Sequence, residues 1–385
     1  MMNNELSYWI TLAHLPAIKT KVKNEIIVRL FEQKMTIIDF FNFSEDVWKK
    51  EFNLSDSEIT IIKSGLDDLP NNSFMVESLL EQGYQILPIT SPEYSPLLKK
   101  NLGRSYAPPV IYTKGNLQIL REDSIAIVGS RKANERSLLF TDNIAKKASE
   151  NYKVVVSGFA KGVDKQALDS ALKYKGHSII VLPQGITTFS SGFRKYYKQI
   201  IEGDVLVLST FHPKAPWSVQ LAMARNPIIY GLAKEIYVAE SSNKGGTWSG
   251  VIDGLRKKRT IYVRMPEANE KNANLLLIRK GAKPVDMEGN ILKYEVTEGN
   301  IDSHVAEPHA IDNGIENNIL DLLKEGAFTS KEIVEILNLN WTAQELINYL
   351  KARKDIIIIK GKPLKFTHAE RAKKNAKQLS LFDSK

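Results

Sequence analysis

The sequence predicts an α/β fold: a parallel sheet covered by helices on both faces, with a helical segment ahead of it and a smaller unit behind. Three observations carry this. Between residues 113 and 286, short runs of β-branched and apolar residues alternate with segments of helical periodicity. The runs are apolar throughout rather than at every second residue, which suits strands buried on both faces and joined by crossover helices. Several runs stop at a glycine-bearing turn, where a strand hands over to a helix.

Residues 1–112 read as a helical domain. Leu6–Leu15 is apolar-periodic, Pro16 breaks it, and Lys23–Phe31 resumes the helical spacing. Thr36–Phe43 and Ser57–Leu66 follow, with acidic and Asn/Asp/Pro-rich turns between. Gln85–Ile89 reads as a short strand, and Pro108 and Pro109 introduce Val110–Gly115 and mark the way into the next domain. Strands are expected at Ile125–Val128, Val154–Val156, Ser178–Leu182, Val205–Ser209, Glu235–Ala239, Thr260–Val263 and Lys283–Val285. Helices are expected at Ser137–Ala148, Lys165–Leu172, Trp217–Tyr230, Val251–Lys257 and Ala273–Lys280. Residues 287–312 are polar and aperiodic, a linker. Within 313–367, Ile315–Leu323 is a helix, Thr329–Glu332 and Thr342–Glu345 fit capping boxes, and Asp355–Ile359 and Pro363–Phe366 form a hairpin about a Lys-Gly-Lys turn. Three helices and a hairpin make a winged helix-turn-helix. The tail, 368–385, is basic and helix-prone at Arg371–Lys377.

At 385 residues, two or three domains are expected. The absence of cysteine excludes disulfides, thiolate catalysis and cysteine-held zinc or iron–sulfur sites. His14, His177, His212, His304, His309 and His368 lack metal-ligand spacing, and no metal or cofactor is expected. No apolar run approaches the ~18–20 residues of a membrane span, and Met1–Glu5 lacks the basic start of a signal peptide. The expectation is a soluble, cytoplasmic protein. The formal charge of +9 divides as −3 over residues 1–112, +11 over 113–300 and +1 over 301–385. A cationic sheet domain points to a polyanionic partner; the plainer reading is a basic surface that aids solubility.

Ligands on parallel sheets bind beyond the carboxyl ends of the strands, so the residues just after each strand are the candidates. Gly129, Ser130, Arg131 and Lys132 would offer amides, a hydroxyl and cations to phosphate at a helix start. The plainer reading is a tight turn with an exposed arginine. Ser157, Gly158, Lys161 and Gly162 form a second such turn, with Lys161 as its cation, and Gly185 lies in a third. Asp164 reads as a helix N-cap rather than an acid catalyst. Arg225 and Asn226 lie in a helix, where they either serve the strand edge or are a surface charge and a structural amide. Gly245, Gly246 and Thr247 suit an anion turn, and Trp248 is either a stacking ring or core. Arg256–Arg259 either complements a helix carboxyl end or extends a nucleic-acid track. Trp341–Arg353, with Gln344, Glu345, Asn348, Lys351 and Arg353, is thin for phosphate neutralisation and suits protein contact or weak DNA binding.

Four stretches resemble the bacterial DNA-processing protein A family (DprA, also Smf). Ile125–Lys132 matches its Val-Gly-Ser-Arg start, and Val155–Asp164 its Ser-Gly-x-Ala-(Arg/Lys)-Gly-(Ile/Val)-Asp motif. Ala171–Gly185 matches the next strand and glycine turn, and Ala224–Leu232 resembles Arg-Asn-Arg-Ile-Ile-x-Gly-Leu. Tyr94–Leu98 and Pro108–Asn116 add to the likeness, which covers nearly the whole chain. The resemblance implies an extended Rossmann-like sheet domain between a helical N-terminal domain of SAM or helix-hairpin-helix type and a C-terminal winged helix. It further implies a homodimer that binds single-stranded DNA without sequence preference or catalytic turnover. The implied partner is a RecA-type recombinase, delivered onto DNA taken up in natural transformation.

Three departures mark a divergent branch. Pro227 replaces the second Arg of Arg-Asn-Arg, Gly245–Gly250 replaces Ser-Gly-Ser-Leu-x-Thr-Ala, and Val263–Pro266 replaces Val-Pro-Gly. They leave room for a nucleotide-binding sensor or adaptor. Gly245–Thr247 also resembles a loop of the Lonely Guy phosphoribohydrolases, but Gly250 stands where their reacting Glu would be, so no general base is seen.

Overall fold

The structure, a computed structural model, describes residues 3–293, 313–337, 339, 343–351, 353, 355–359, 361, 363–369 and 371. It divides into two compact units, Met1–Gly299 and Asn300–Lys385.

The first unit begins with α1 (Asn3–His14), α2 (Thr20–Glu32), α3 (Ile37–Asn42), α4 (Glu45–Phe52), α5 (Asp56–Asp67) and α6 (Leu69–Glu81). Capping boxes of Thr36 with Asp39 and Ser55 with Glu58 start α3 and α5. The buried Lys23 donates from Nζ to the carbonyls of Ala13 and Leu15, 2.8 Å each, and so closes the end of α1. Burial pulls this amine down to about 8. Two helices fall where turns were expected. α4 carries Glu45 and Asp46 in its first turn and Lys49 and Lys50 in its last, so its charges complement the helix dipole, while Trp48 and Phe52 pack on Phe40. In α6 the proline lies in the first turn, where its missing N–H costs nothing.

The sheet follows. β1 (Gln85–Pro88), α7 (Pro96–Tyr106), β2 (Val110–Lys114) and β3 (Ser124–Val128) lead to α8 (Glu135–Glu150), β4 (Val154–Ser157), α9 (Val163–Lys173) and β5 (Ser178–Val181). Then come α10 (Ser190–Lys195), α11 (Tyr197–Glu202), β6 (Val205–Ser209), α12 (Val219–Gly231) and β7 (Glu235–Val238). α13 (Gly246–Arg256), β8 (Thr260–Arg264), α14 (Asn274–Arg279) and β9 (Lys283–Val285) complete it. The nine strands run in the order β1-β2-β6-β5-β4-β3-β7-β8-β9. Pairs β1–β2 and β2–β6 are antiparallel and the remainder parallel. All seven expected strands are present, and β3–β6 are buried along their whole length. The chain leaves β3 on one side through β4 and on the other through β7, which opens a crevice between the loops that follow β3 and β7.

Two expected boundaries differ. The sheet starts upstream of residue 113, because β1 and β2 belong to it. α1 is also tied to β2 by a 2.7 Å hydrogen bond between His14 Nε2 and the Tyr112 hydroxyl; burial holds His14 down to about 3, so the imidazole is neutral. The start of the expected linker packs on the same unit: Met287 accepts from Asn143 at 3.2 Å and Ile291 bridges Val285. Residues 294–312 lie outside the described residues.

The second unit contains α15 (Asn313–Glu325), β10 (Phe328–Thr329), α16 (Ser330–Ile336), α17 (Ala343–Lys351), β11 (Ile356–Ile359) and β12 (Lys365–His368). Its antiparallel sheet runs β10-β12-β11 over a core of Ile319, Leu323, Ile333, Leu346, Leu350 and Phe366. The Thr329–Glu332 capping box forms. Trp341 and Thr342, the lysines of the Lys-Gly-Lys turn and the tail from 372 lie outside the described residues, as do the side chains of Gln344, Glu345 and Asn348.

At the end of β8 the departure Val263–Pro266 has a structural use. Arg264, 1% exposed, pairs with Glu270 at 2.6 Å and donates to Ala239 O at 3.0 Å and Ser137 Oγ at 3.1 Å, tying β7, β8 and α8 together. Arg264→Met leaves Glu270 buried without its counter-charge and should cost about 3–5 kcal/mol in urea unfolding. Adding Glu270→Leu should recover most of that loss.

Candidate nucleic-acid interface

Three post-strand loops meet at the crevice. The amide of Val163 donates to Ser130 O at 3.2 Å, which joins the loops after β3 and β4. That approach needs Gly162, whose φ is +85° and whose missing Cβ would collide with Ser130 O. The third loop arrives through Thr247, whose hydroxyl donates to Gly129 O at 3.1 Å. Gly129, Ser130, Arg131, Lys161, Gly162, Gly245, Gly246 and Thr247 are therefore brought together, as adjacent turns on one rim.

The helix ends above this rim are not equivalent. α8 does not start at Gly129–Arg131 but at Glu135, behind an Asn134 cap that accepts from Ser137 N at 2.8 Å. Glu240 reaches across from the β7 loop to accept from Asn134 N (3.1 Å) and Ser137 Oγ (2.8 Å). A carboxylate already occupies that helix start, so it is no longer a phosphate seat. α13 is different. It begins behind Gly245, with φ +91° and open space around its Cα, has no side-chain cap and carries no acid in its first turn. Its free amides are the best-placed anion donors on the rim.

Several expected contact residues turn inward. Ser157 is buried and donates to Ile127 O at 2.8 Å, clamping β3 to β4. The Thr247 hydrogen is committed to Gly129. Gly185 is buried beneath the β6 loop: its amide donates to Ala215 O at 2.8 Å, and a Cβ would strike the His212 and Pro213 carbonyls. Arg225 is 4% exposed, so it is neither a surface charge nor placed to neutralise a phosphate, but it does reach the strand edge. Its Nη1 donates to Val181 O at 2.9 Å and its Nη2 faces Asp164 at 3.8 Å. Gly158 is buried below it, and a Cβ there would collide with the guanidinium. Asp164 is not the N-cap, which is Gly162, but the second residue of α9. Burial pushes its carboxyl up, opposed chiefly by the Arg225 charge. Asn226 is half-buried with its amide against Gly246. Trp248 packs partly on the core. Arg256–Arg259 joins α13 to β8 at the amino ends of the strands, with Arg256 and Lys257 paired to Asp253, so it lies away from this rim.

What remains open to solvent is cationic. Arg131 and Lys132 on the β3 loop, Lys161 on the β4 loop, Lys214 on the β6 loop and Lys244 on the β7 loop are all exposed. Two carboxylates of this region, Glu240 and Asp164, are engaged as described. Lys214 and Lys244 were missed in the sequence, although both follow strands and the rule of carboxyl ends would have found them.

Comparison with known proteins fits this architecture. The family model described as DNA recombination-mediator protein A matches residues 85–295. The chain belongs to this family. It is 35% identical to the DNA processing protein DprA of Streptococcus pneumoniae over 157 residues, 40% of this chain and 55% of that one. It thus spans about half the length of that relative. Against the Bacillus subtilis DprA the identity is 26% over 57% of this chain and 74% of the other. The X-ray structure of the S. pneumoniae protein superposes with a TM-score of 0.53 at 24% identity, covering 74% of this chain and 95% of that one, a likeness of fold.

Arg225→Met should cost about 3–5 kcal/mol at pH 7, by leaving Asp164 buried and unpaired. A folded-state pKa above the unfolded one means that the native protein binds more protons. Stability of the variant should therefore rise as pH falls from 7 to 5, a gain read by urea unfolding at the two pH values.

Proposed function

We propose that the carboxyl rim of the sheet binds single-stranded DNA without sequence preference, and that the protein delivers a RecA-type recombinase to that strand. The observation behind this is the set of exposed cations, Arg131, Lys132, Lys161, Lys214 and Lys244, on four post-strand loops, with Glu240 and Asp164 already engaged elsewhere. Family membership supports it: a recombination mediator has to meet both the strand and the recombinase. Phosphates would be neutralised by Arg131 and Lys161, and the bare backbone at Gly245 and Gly246 lets the chain approach the amides of α13. Contacts to a sugar–phosphate backbone position a strand without reading its bases, hence the lack of sequence preference. The second unit, three helices with a β-hairpin, is a winged helix in this reading, and its near-neutral charge suits protein contact. The protein acts as a homodimer in the cytoplasm, with no catalytic step.

A salt titration with single-stranded DNA, duplex DNA and RNA tests the reading. If each of the five cations meets one phosphate, log affinity for a single strand should fall with log salt at a slope of about −3.5. Arg131→Glu with Lys161→Glu should abolish the mobility shift of an oligo-dT strand. Binding unchanged in that double variant defeats the assignment of the rim.

A further inference from the structure

The cationic rim is interrupted by an apolar ridge at the start of α12. Arg225, the seventh residue of that helix, donates to Val181 O at the last residue of β5. The residues ahead of it therefore bring the start of α12 to the carboxyl ends of the strands. Along the side that meets α13, the Tyr230 hydroxyl lies on Gly250, and Asn226 and Met223 lie on Gly246. α13 starts there, at Gly246. Toward the start of α12 the apolar side chains reach water: Met223 is 43% exposed, Val219, one turn further up, 67%, and Trp217, just ahead of the Ser218 cap, 50%.

The half-exposed indole of Trp217 lies on the β6 loop three residues past Lys214, and Met223 lies on Gly246, two residues past Lys244 at the uncapped start of α13. A folded protein surface or a duplex offers this combination poorly. An unpaired strand offers both halves at once: flat apolar bases and an anionic chain a few ångströms away. We propose that Trp217, supported by Val219 and Met223, is a base-stacking platform for a single strand whose phosphates run along the cationic loops. The inference rests on the DNA-binding reading and adds to it where the bases go.

The test measures fluorescence anisotropy of an oligo-dT strand and of an abasic strand with the same length and charge. Stacking predicts that Trp217→Ala weakens dT binding roughly 5- to 150-fold and leaves abasic binding unchanged. Trp217→Phe should retain most of the dT affinity. Equal weakening on both strands, or none on either, overturns the platform while leaving the cationic rim intact. If the parent protein binds neither strand, the DNA reading falls and the platform with it. If Trp217→Ala binds dT normally but loses a dimer in sedimentation, the ridge is a self-association surface and the proposal is overturned.

Discussion

The carboxyl rim depends on one short contact, the hydrogen bond from the Val163 amide to the Ser130 carbonyl. Two strand-to-helix turns can be this close only if one of them has no side chain at the point of contact and tolerates a positive φ, and Gly162 meets both conditions. Once that bond closes, Arg131 and Lys161 have no choice but to share a rim. Thr247 then anchors a third loop to the same carbonyl cluster through Gly129. The cations are thus held together by backbone geometry, against their mutual repulsion.

Charges divide into two layers. Below the rim, Arg225 with Asp164 and Arg264 with Glu270 are buried and spend their hydrogen bonds on the backbone carbonyls of Val181 and Ala239, at or just past the ends of β5 and β7. Buried pairs of this kind contribute little net stability, yet each ties a strand end to the element beside it. Above them, the lysines and arginines that face water carry no burial penalty and remain available. The structure therefore separates cations that position loops from cations that meet a ligand, and burial alone makes the distinction.

That distinction explains what could be read from the residues beforehand. The strands were legible because continuous apolar runs such as Ile125–Val128 have few other uses, and the glycine turns because Gly129 and Gly162 stand at fixed offsets from them. Arg225 was misjudged since a guanidinium in a helix looks the same in sequence whether it faces solvent or a buried carboxylate 61 residues upstream. Ser157 and Thr247 likewise have hydroxyls whose partners, Ile127 O and Gly129 O, are visible only in three dimensions. α4 and α6 were read as turns because acidic and proline-containing stretches signal both turns and helix starts. Glu240 was invisible for a different reason: its role depends on a loop crossing from β7 to the start of α8.

β2 has a consequence beyond joining the helical segment to the sheet. It covers β6, five residues buried from end to end, whose other neighbour is β5. A fragment beginning at residue 115 would strip away that cover and present Val205–Ser209 as an open apolar border with unpaired backbone groups. Such a border recruits further strands, so the fragment would polymerise rather than stay dispersed. The amino-terminal third of the chain thus acts as the sheet's terminator.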